Sequence, residues 1–316
     1  MSKIDFKRAL RQFETHVILQ KKSVLGFDEF DEGVKKAENM EKKVIHTMEV
    51  VNDGTKVAQE LEFNEDVIIF TKLALLDHDI GRFLQMKYTG TYADTDLKKC
   101  PYFSVDDHGQ LGAQILQSGI LKAQVPDTRI YDHAIINIVK RHVNSISDPR
   151  ELLILSSDIL KNEDIYDIFS KMDKKTKQSI ITAITQIVQD VDRLDIYHQI
   201  LDKRWTPIKN DLPIDPIVFD LFYRGEYLNI ADLKQKGLWN ANVGDLVRLS
   251  FINQIRLLSV AKVIQSEGII MKLKEVRQNP MVKDAFDFTN DKLNEMIHNS
   301  EDGVTIPKVK TLSLFD

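Results

Sequence analysis

The chain has 316 residues, 43% of them hydrophobic and 29% charged, which is enough to bury a sizeable core in one large or two modest domains. Its net charge of −5 argues against a generic nucleic-acid binder, whose footprint is a basic excess. Small phosphorylated substrates stay compatible, because metal ions and a few local cations can supply the field. The single cysteine, Cys100, excludes an intramolecular disulfide framework and fits a reducing cytoplasm. Neither a charged-then-apolar leader nor a long apolar run is seen, so a cytoplasmic protein without a membrane partner is expected.

Helical periodicity runs along most of the chain, with no internal repeat or low-complexity tract, which predicts an all-α fold. Lys3 to Phe13 is amphipathic and is expected to pack as the first helix. His46 follows in Val44-Ile45-His46-Thr47-Met48-Glu49-Val50. The next helix has a readable start: Asn64 as N-cap, Phe63 and Ile68 placed for a hydrophobic staple, Glu65 and Asp66 in the first turn. It leads into Leu75-Leu76-Asp77-His78-Asp79-Ile80-Gly81-Arg82, where Leu75, His78, Asp79 and Arg82 share a face and Gly81 predicts that the helix loosens or ends. Leu84 to Asp107, rich in Thr, Gly, Asp, Lys and Tyr, reads as a long irregular loop, and such loops in compact domains are usually functional. Lys87, Tyr88, Lys98 and Lys99 are its candidate substrate contacts, a plain solvated loop being the alternative.

His108 comes next, between Asp107 and Gly109. From Tyr131 to Val143, the apolar positions Ile135, Ile138 and Val139 continue at helical spacing to His142, which therefore faces inward; His133, nine residues earlier, falls about half a revolution away and reads as a surface or supporting histidine. Ile184, Ile187, Val188 and Val191 make a buried stripe that ends at Asp192 and Asp195, and buried carboxylates need a partner. Pro207, Pro213 and Pro216 mark a break over Trp205 to Pro216. Helices are expected around Asp245 to Ser266, with Val247, Phe251, Ile255, Leu258 and Ala261 as its stripe, and around Asn290 to Met296. The expected organisation is a helical core over 1–203, a helical segment packed on it over 217–300, and a tail over 301–316.

An adjacent His and Asp offer one imidazole nitrogen and one carboxylate, a mixed set suited to Mn, Fe, Co, Ni or Zn more than to Ca or Mg alone. His78-Asp79 has company: His46, His108, His142 and Asp192 fall at steps of roughly 30 to 50 residues, or one or two helices plus connections. Ligands arriving once per helical hairpin converge inside a bundle. Taken singly, an inward histidine is more often a hydrogen-bonded core residue than a ligand, and Arg82 or Arg193 an exposed ion-pairing residue. The ordered set carries the metal reading.

These residues resemble the HD-domain superfamily of metal-dependent phosphohydrolases, whose pattern of H, HD and D on helices is matched by His46, His78-Asp79 and Asp192. The two further histidines, His108 and His142, are similar to those of a subset in which they help hold a second metal, although many members have consecutive histidines where this chain has Arg141-His142. Leu76 to Phe83 resembles the "LLHDIGRF" segment of a group of uncharacterised bacterial HD proteins, with Asp77 where that group has leucine. Val105-Asp106-Asp107-His108 with Leu111-Gly112-Ala113 is similar to the group's "DH..LG" turn, and Asp190 to Tyr197 to its "DADKLDIY" segment. The resemblance implies an HD-domain helical bundle holding one or two divalent ions (Mn, Fe, Co, Ni or Zn, with Mg compatible) on His46, His78, Asp79, His108, His142 and Asp192.

It further implies hydrolysis of a small phosphoester, with Asp79 bridging the ions and Arg82 or Arg193 holding non-bridging oxygens. The segment around His46 resembles that of deoxynucleoside triphosphatases of the superfamily, and a nucleotide is the expected substrate class. The "GYP" signature of cyclic-dinucleotide hydrolases and the Glu-Asp pair of guanosine tetraphosphate hydrolases are missing. Two alternatives remain: a mixed-valent di-iron oxygenase on the same ligands, or a nucleotide-binding regulatory protein of slow turnover. A homo-oligomer is compatible with the chain.

Overall fold

The computed structural model describes residues 6–118, 133–143, 172–202 and 212–301. These residues are helical with no strand among them, the all-α architecture that the periodicity predicts. They divide into two compact units, one running to Gln189 and the other beginning at Asp190.

The first unit contains α1 (Phe6–Phe27), α2 (Phe30–Glu60), α3 (Glu65–Asp77), α4 (Ile80–Thr89), the short α5 (Asp94–Leu97), α6 (His108–Gln117), α7 (His133–Arg141) and the start of α8 (Lys174–Leu201). α1 runs well past the predicted Phe13, because Ala9, Phe13, Val17 and Val24 continue one buried stripe. Phe13 meets Phe83 of α4 edge to face, with ring centroids 5.5 Å apart. α3 starts as its sequence specifies: the Asn64 side chain accepts from the Val67 amide at 3.0 Å, with Glu65 and Asp66 in the first turn, where carboxylates favour the helix dipole.

The helix breaks earlier than Gly81 suggests. α3 ends at Asp77, Asp79 leaves helical geometry at φ −106° and ψ 16°, and α4 restarts at Ile80. Gly81 lies inside α4, where a Cβ would collide with the carbonyl oxygen of His108 and the amide nitrogen of Gly112. The missing side chain serves close approach of α4 and α6, which brings His108 beside the helix break. A Cβ on Gly54 of α2 would likewise drive into the Leu75 side chain and lie 3.2 Å from Ile187 Cγ2.

The loop predicted over Leu84 to Asp107 is irregular for most of its length but helical at its start and in one short turn. α4 runs on to Thr89 and closes on Gly90 at φ 69°, α5 follows, and Asp107 caps α6 by accepting from the Gln110 amide at 2.8 Å. Residues 203–211 of the predicted proline break, the His133 side chain and the tail from 302 lie outside the described residues.

The second unit holds the end of α8, α9 (Pro216–Tyr223), α10 (Ile230–Gln235), α11 (Val243–Ser250), α12 (Leu258–Ser266), α13 (Ile269–Arg277) and α14 (Lys283–Glu301), with α14 packed on α11, α12 and α13. The single helix expected over Asp245 to Ser266 is interrupted: a 3-10 turn over Phe251–Gln254 ends in extended backbone at Ile255. The buried carboxylate of Asp190 accepts the backbone N–H groups of Arg256 and Leu257, at 2.7 and 2.8 Å. Those amides are thereby withdrawn from a continuous helical ladder. No described helix is long and apolar enough to cross a membrane.

Gly81→Ala is expected to cost about 1–3 kcal/mol in urea unfolding, since the atoms it meets are backbone and cannot rotate away. Gly26→Ala, whose Cβ would meet nothing within 4 Å, serves as the control and is expected to be neutral or stabilising. Equal behaviour of the two variants would remove close approach as the reason for Gly81.

Candidate metal centre

His78 and Asp79 emerge where α3 gives way to α4, so the two side chains are freed from a common helical spacing and turn into one buried space. His46 reaches it from the middle of α2, His108 from the first residue of α6, and His142 from just beyond α7. All five residues are buried. Asp79 Oδ2 lies 3.2 Å from His46 Nε2 and 3.3 Å from His78 Nε2, and these two nitrogens are 3.4 Å apart. Asp79 Oδ1 lies 3.2 Å from His108 Nε2 and 3.6 Å from His142 Nε2, themselves 3.1 Å apart. One carboxylate thus faces two pairs of imidazoles, an oxygen to each.

The protons decide what this arrangement can hold. His78 Nδ1 donates to the Leu75 carbonyl at 2.6 Å and His142 Nδ1 to the Val139 carbonyl at 2.7 Å; His108 Nδ1 lies 3.1 Å from both oxygens of Asp94. A carbonyl or carboxylate only accepts, so each Nδ1 carries a proton, which leaves Nε2, turned towards Asp79, as the nitrogen that can offer a lone pair to an ion. Burial lowers the His142 pKa despite the nearby Asp79 carboxylate, favouring its neutral form. Converging lone pairs on a carboxylate repel unless a cation lies among them. Nitrogen and oxygen donors about 2.0–2.2 Å from one tetrahedral ion are roughly 3.3–3.6 Å from each other, close to the 3.1–3.6 Å seen in the two groups. The residues therefore fit divalent ions: His46, His78 and Asp79 can hold one, and Asp79, His108 and His142 can hold another.

Two charged residues here were missed by the sequence reading. Lys43, one turn before His46 on α2, pairs with Asp79 Oδ2. Burial alone would lift the Asp79 carboxyl, but the positive charge of Lys43 leads the groups that hold it well below the usual range. Its spacing three residues before His46 is the signal that was available. Asp94, on α5, is held down to about 2 against the cost of burial by His108 and Arg82 beside it. One acid among Asp94, Asp96, Asp106 and Asp107 in that stretch could not be singled out by sequence.

Arg82 stands beside the centre, its Nε 3.6 Å from Asp79 Oδ1. Its Nη1 serves Gln85 Oε1 at 3.0 Å, Asp94 Oδ1 at 3.1 Å and the Tyr92 carbonyl. The guanidinium thus ties α4 to the following loop. In the second unit, Asp192 is half-buried, while Arg193 Nη1 meets Asp190 Oδ1 at 3.3 Å. Asp195 is buried and accepts from Gln199 Nε2 at 2.6 Å. Of the loop residues proposed as substrate contacts, Lys98, Lys99 and Tyr88 are exposed.

Both carboxylate oxygens of Asp77 are buried without a hydrogen-bond partner, and burial pushes its pKa up to about 8. A folded pKa above the ordinary carboxylate value near 4 means that the stabilising protonated form is complete below about pH 4 and is lost as pH rises through about 8. In metal-stripped protein, Asp77→Asn is expected to gain melting temperature over the parent progressively between those limits. A difference that stays constant with pH would show that Asp77 titrates alike in the folded and unfolded chains.

Comparison with known proteins bears on this geometry directly. A model of the HD domain family matches residues 44–197, a span that includes all six proposed ligands. No curated protein and no solved structure matched the chain. The HD family typically consists of metal-dependent hydrolases, and the match falls on the segment that builds the His and Asp cluster. Residues 44–197 of the chain therefore form an HD domain.

Proposed function

We propose that this protein hydrolyses a small phosphoester, a nucleotide being the favoured class, with one or two divalent transition metal ions as cofactor. The observation that carries the reading is the shared carboxylate: one Asp79 oxygen faces His46 and His78 and the other faces His108 and His142. When bound, such ions neutralise charge on the phosphoryl group and acidify the attacking water. The remaining tasks fall to the chain.

Asp79, common to both groups of donors, would be the carboxylate shared by two ions. The Leu75 and Val139 carbonyls hold the rings of His78 and His142 with Nε2 turned towards it. Asp192 is the last ligand in this reading, and it lies one helical turn beyond Val188 on α8. Arg82 and Arg193 supply positive charge for non-bridging oxygens. Burial of His46, His78, Asp79, His108 and His142 strengthens each charge interaction among them.

The test is product release from a panel of nucleotides and phosphoesters, with metal-stripped protein reloaded with Mn, Fe, Co, Ni or Mg. Metal-dependent turnover is expected in the parent. Asp79→Ala is expected to lose it by at least about a thousandfold while circular dichroism shows unchanged helix content. Retained activity in that variant would sink the mechanism. Substrate-dependent oxygen uptake by the iron-loaded protein would assign an oxygenase instead, and tight nucleotide binding without product under every metal would assign a regulatory protein.

A further inference from the structure

The four imidazoles are not held alike. His78 and His142 each donate Nδ1 to the carbonyl three residues before them, Leu75 and Val139, so their own helix ends fix their orientation. His108 has no such acceptor available. It is the first residue of α6, and the backbone before it, at Asp107, is extended with φ −151° and ψ 169°. Its Nδ1 turns to Asp94, fourteen residues earlier, at 3.1 Å from either oxygen.

Asp94 is itself fixed from several directions. Arg82 Nη1 binds it at 3.1 Å and also holds the neighbouring Tyr92 carbonyl, and the Tyr92 hydroxyl donates to the Asn39 carbonyl of α2 at 2.9 Å. We infer that Asp94 is the positioning residue of the ion held by Asp79, His108 and His142: it fixes the His108 tautomer, aims Nε2 at Asp79, and makes that ion dependent on the loop between α4 and α6. In the group of His46, His78 and Asp79, the His78 ring is instead oriented by helix backbone, through the Leu75 carbonyl.

A carboxylate behind a metal-binding histidine does more than a carbonyl in the same place. Its charge makes the ring a stronger donor to the ion, and removing such a partner typically weakens metal affinity about 10- to 100-fold. Asp94 also joins His108 to Arg82, so the guanidinium beside Asp79 and the second ion share one support. This inference rests on the two-ion form of the function proposed above, and its test separates the two.

Manganese binding to metal-stripped protein is measured by titration, with electron paramagnetic resonance reporting the spin-coupled pair. The parent is expected to bind two ions and show the coupled signal. Asp94→Ala is expected to keep the first ion at parental affinity, to bind the second about 10- to 100-fold more weakly, and to lose the coupled signal at stoichiometric manganese. Asp94→Asn, which keeps an acceptor oxygen without the charge, is expected to fall between Asp94→Ala and the parent. Two equally tight ions in Asp94→Ala, or equal weakening of both ions in Asp94→Ala and Asp94→Asn, would overturn the positioning role. A parent that binds a single ion would overturn the two-ion reading itself, whatever Asp94 does.

Discussion

The carboxylate of Asp79, buried among four imidazole nitrogens, is the constraint on which the first unit depends. A buried anion is costly unless opposite charge and hydrogen bonds surround it. Lys43 provides one positive partner on α2 and Arg82 another on α4. Neutral histidines do not solve the problem: the Nδ1 protons of His78, His108 and His142 are committed to Leu75, Asp94 and Val139, so neutral rings would turn lone pairs at the same oxygens. The centre is thus built for more positive charge than side chains alone supply, and the two groups of donors that share Asp79 are where an ion could supply it.

Backbone geometry places this carboxylate. In an uninterrupted helix, His78 and Asp79 would project about 100° apart. The interruption at Asp79 turns both into the same interior space, with α3 capped by Asn64 on one side and α4 pressed against α6 on the other. The closeness of that second contact depends on Gly81, and the contact determines how near the start of α6 comes to Asp79. The ligand geometry and the packing of α4 on α6 are therefore one problem. A methyl group at Gly81 would disturb the backbone of His108 directly.

The second unit shows the same principle applied to backbone amides. Asp190 is buried, and burial raises its pKa to about 6 although Arg193 and the amides of Arg256 and Leu257 oppose the shift. Its hydrogen bonds account for the extended step between α11 and α12. Within that unit, Asp245 is buried against Arg277, with the Asn279 amide at 3.0 Å. Both carboxylates are held by partners that are distant in sequence.

Much of this protein was legible in the chain itself. The helical class follows from periodicity, the start of α3 from Asn64 and its acidic first turn, and the inward aim of His142 from the stripe through Ile135, Ile138 and Val139. These are local properties, fixed by 3.6 residues per turn and by which side chains can cap a helix. The family pattern named the histidines and aspartates, because chemistry restricts the residue types that bind such ions. Tertiary structure alone decided the break at Asp79, the pairing of Lys43 with it, the extended step after Gln254, and the choice of Asp94 behind His108. Each depends on groups brought together from separate parts of the chain, and neither helical period nor residue type encodes which distant partner a folded chain will supply.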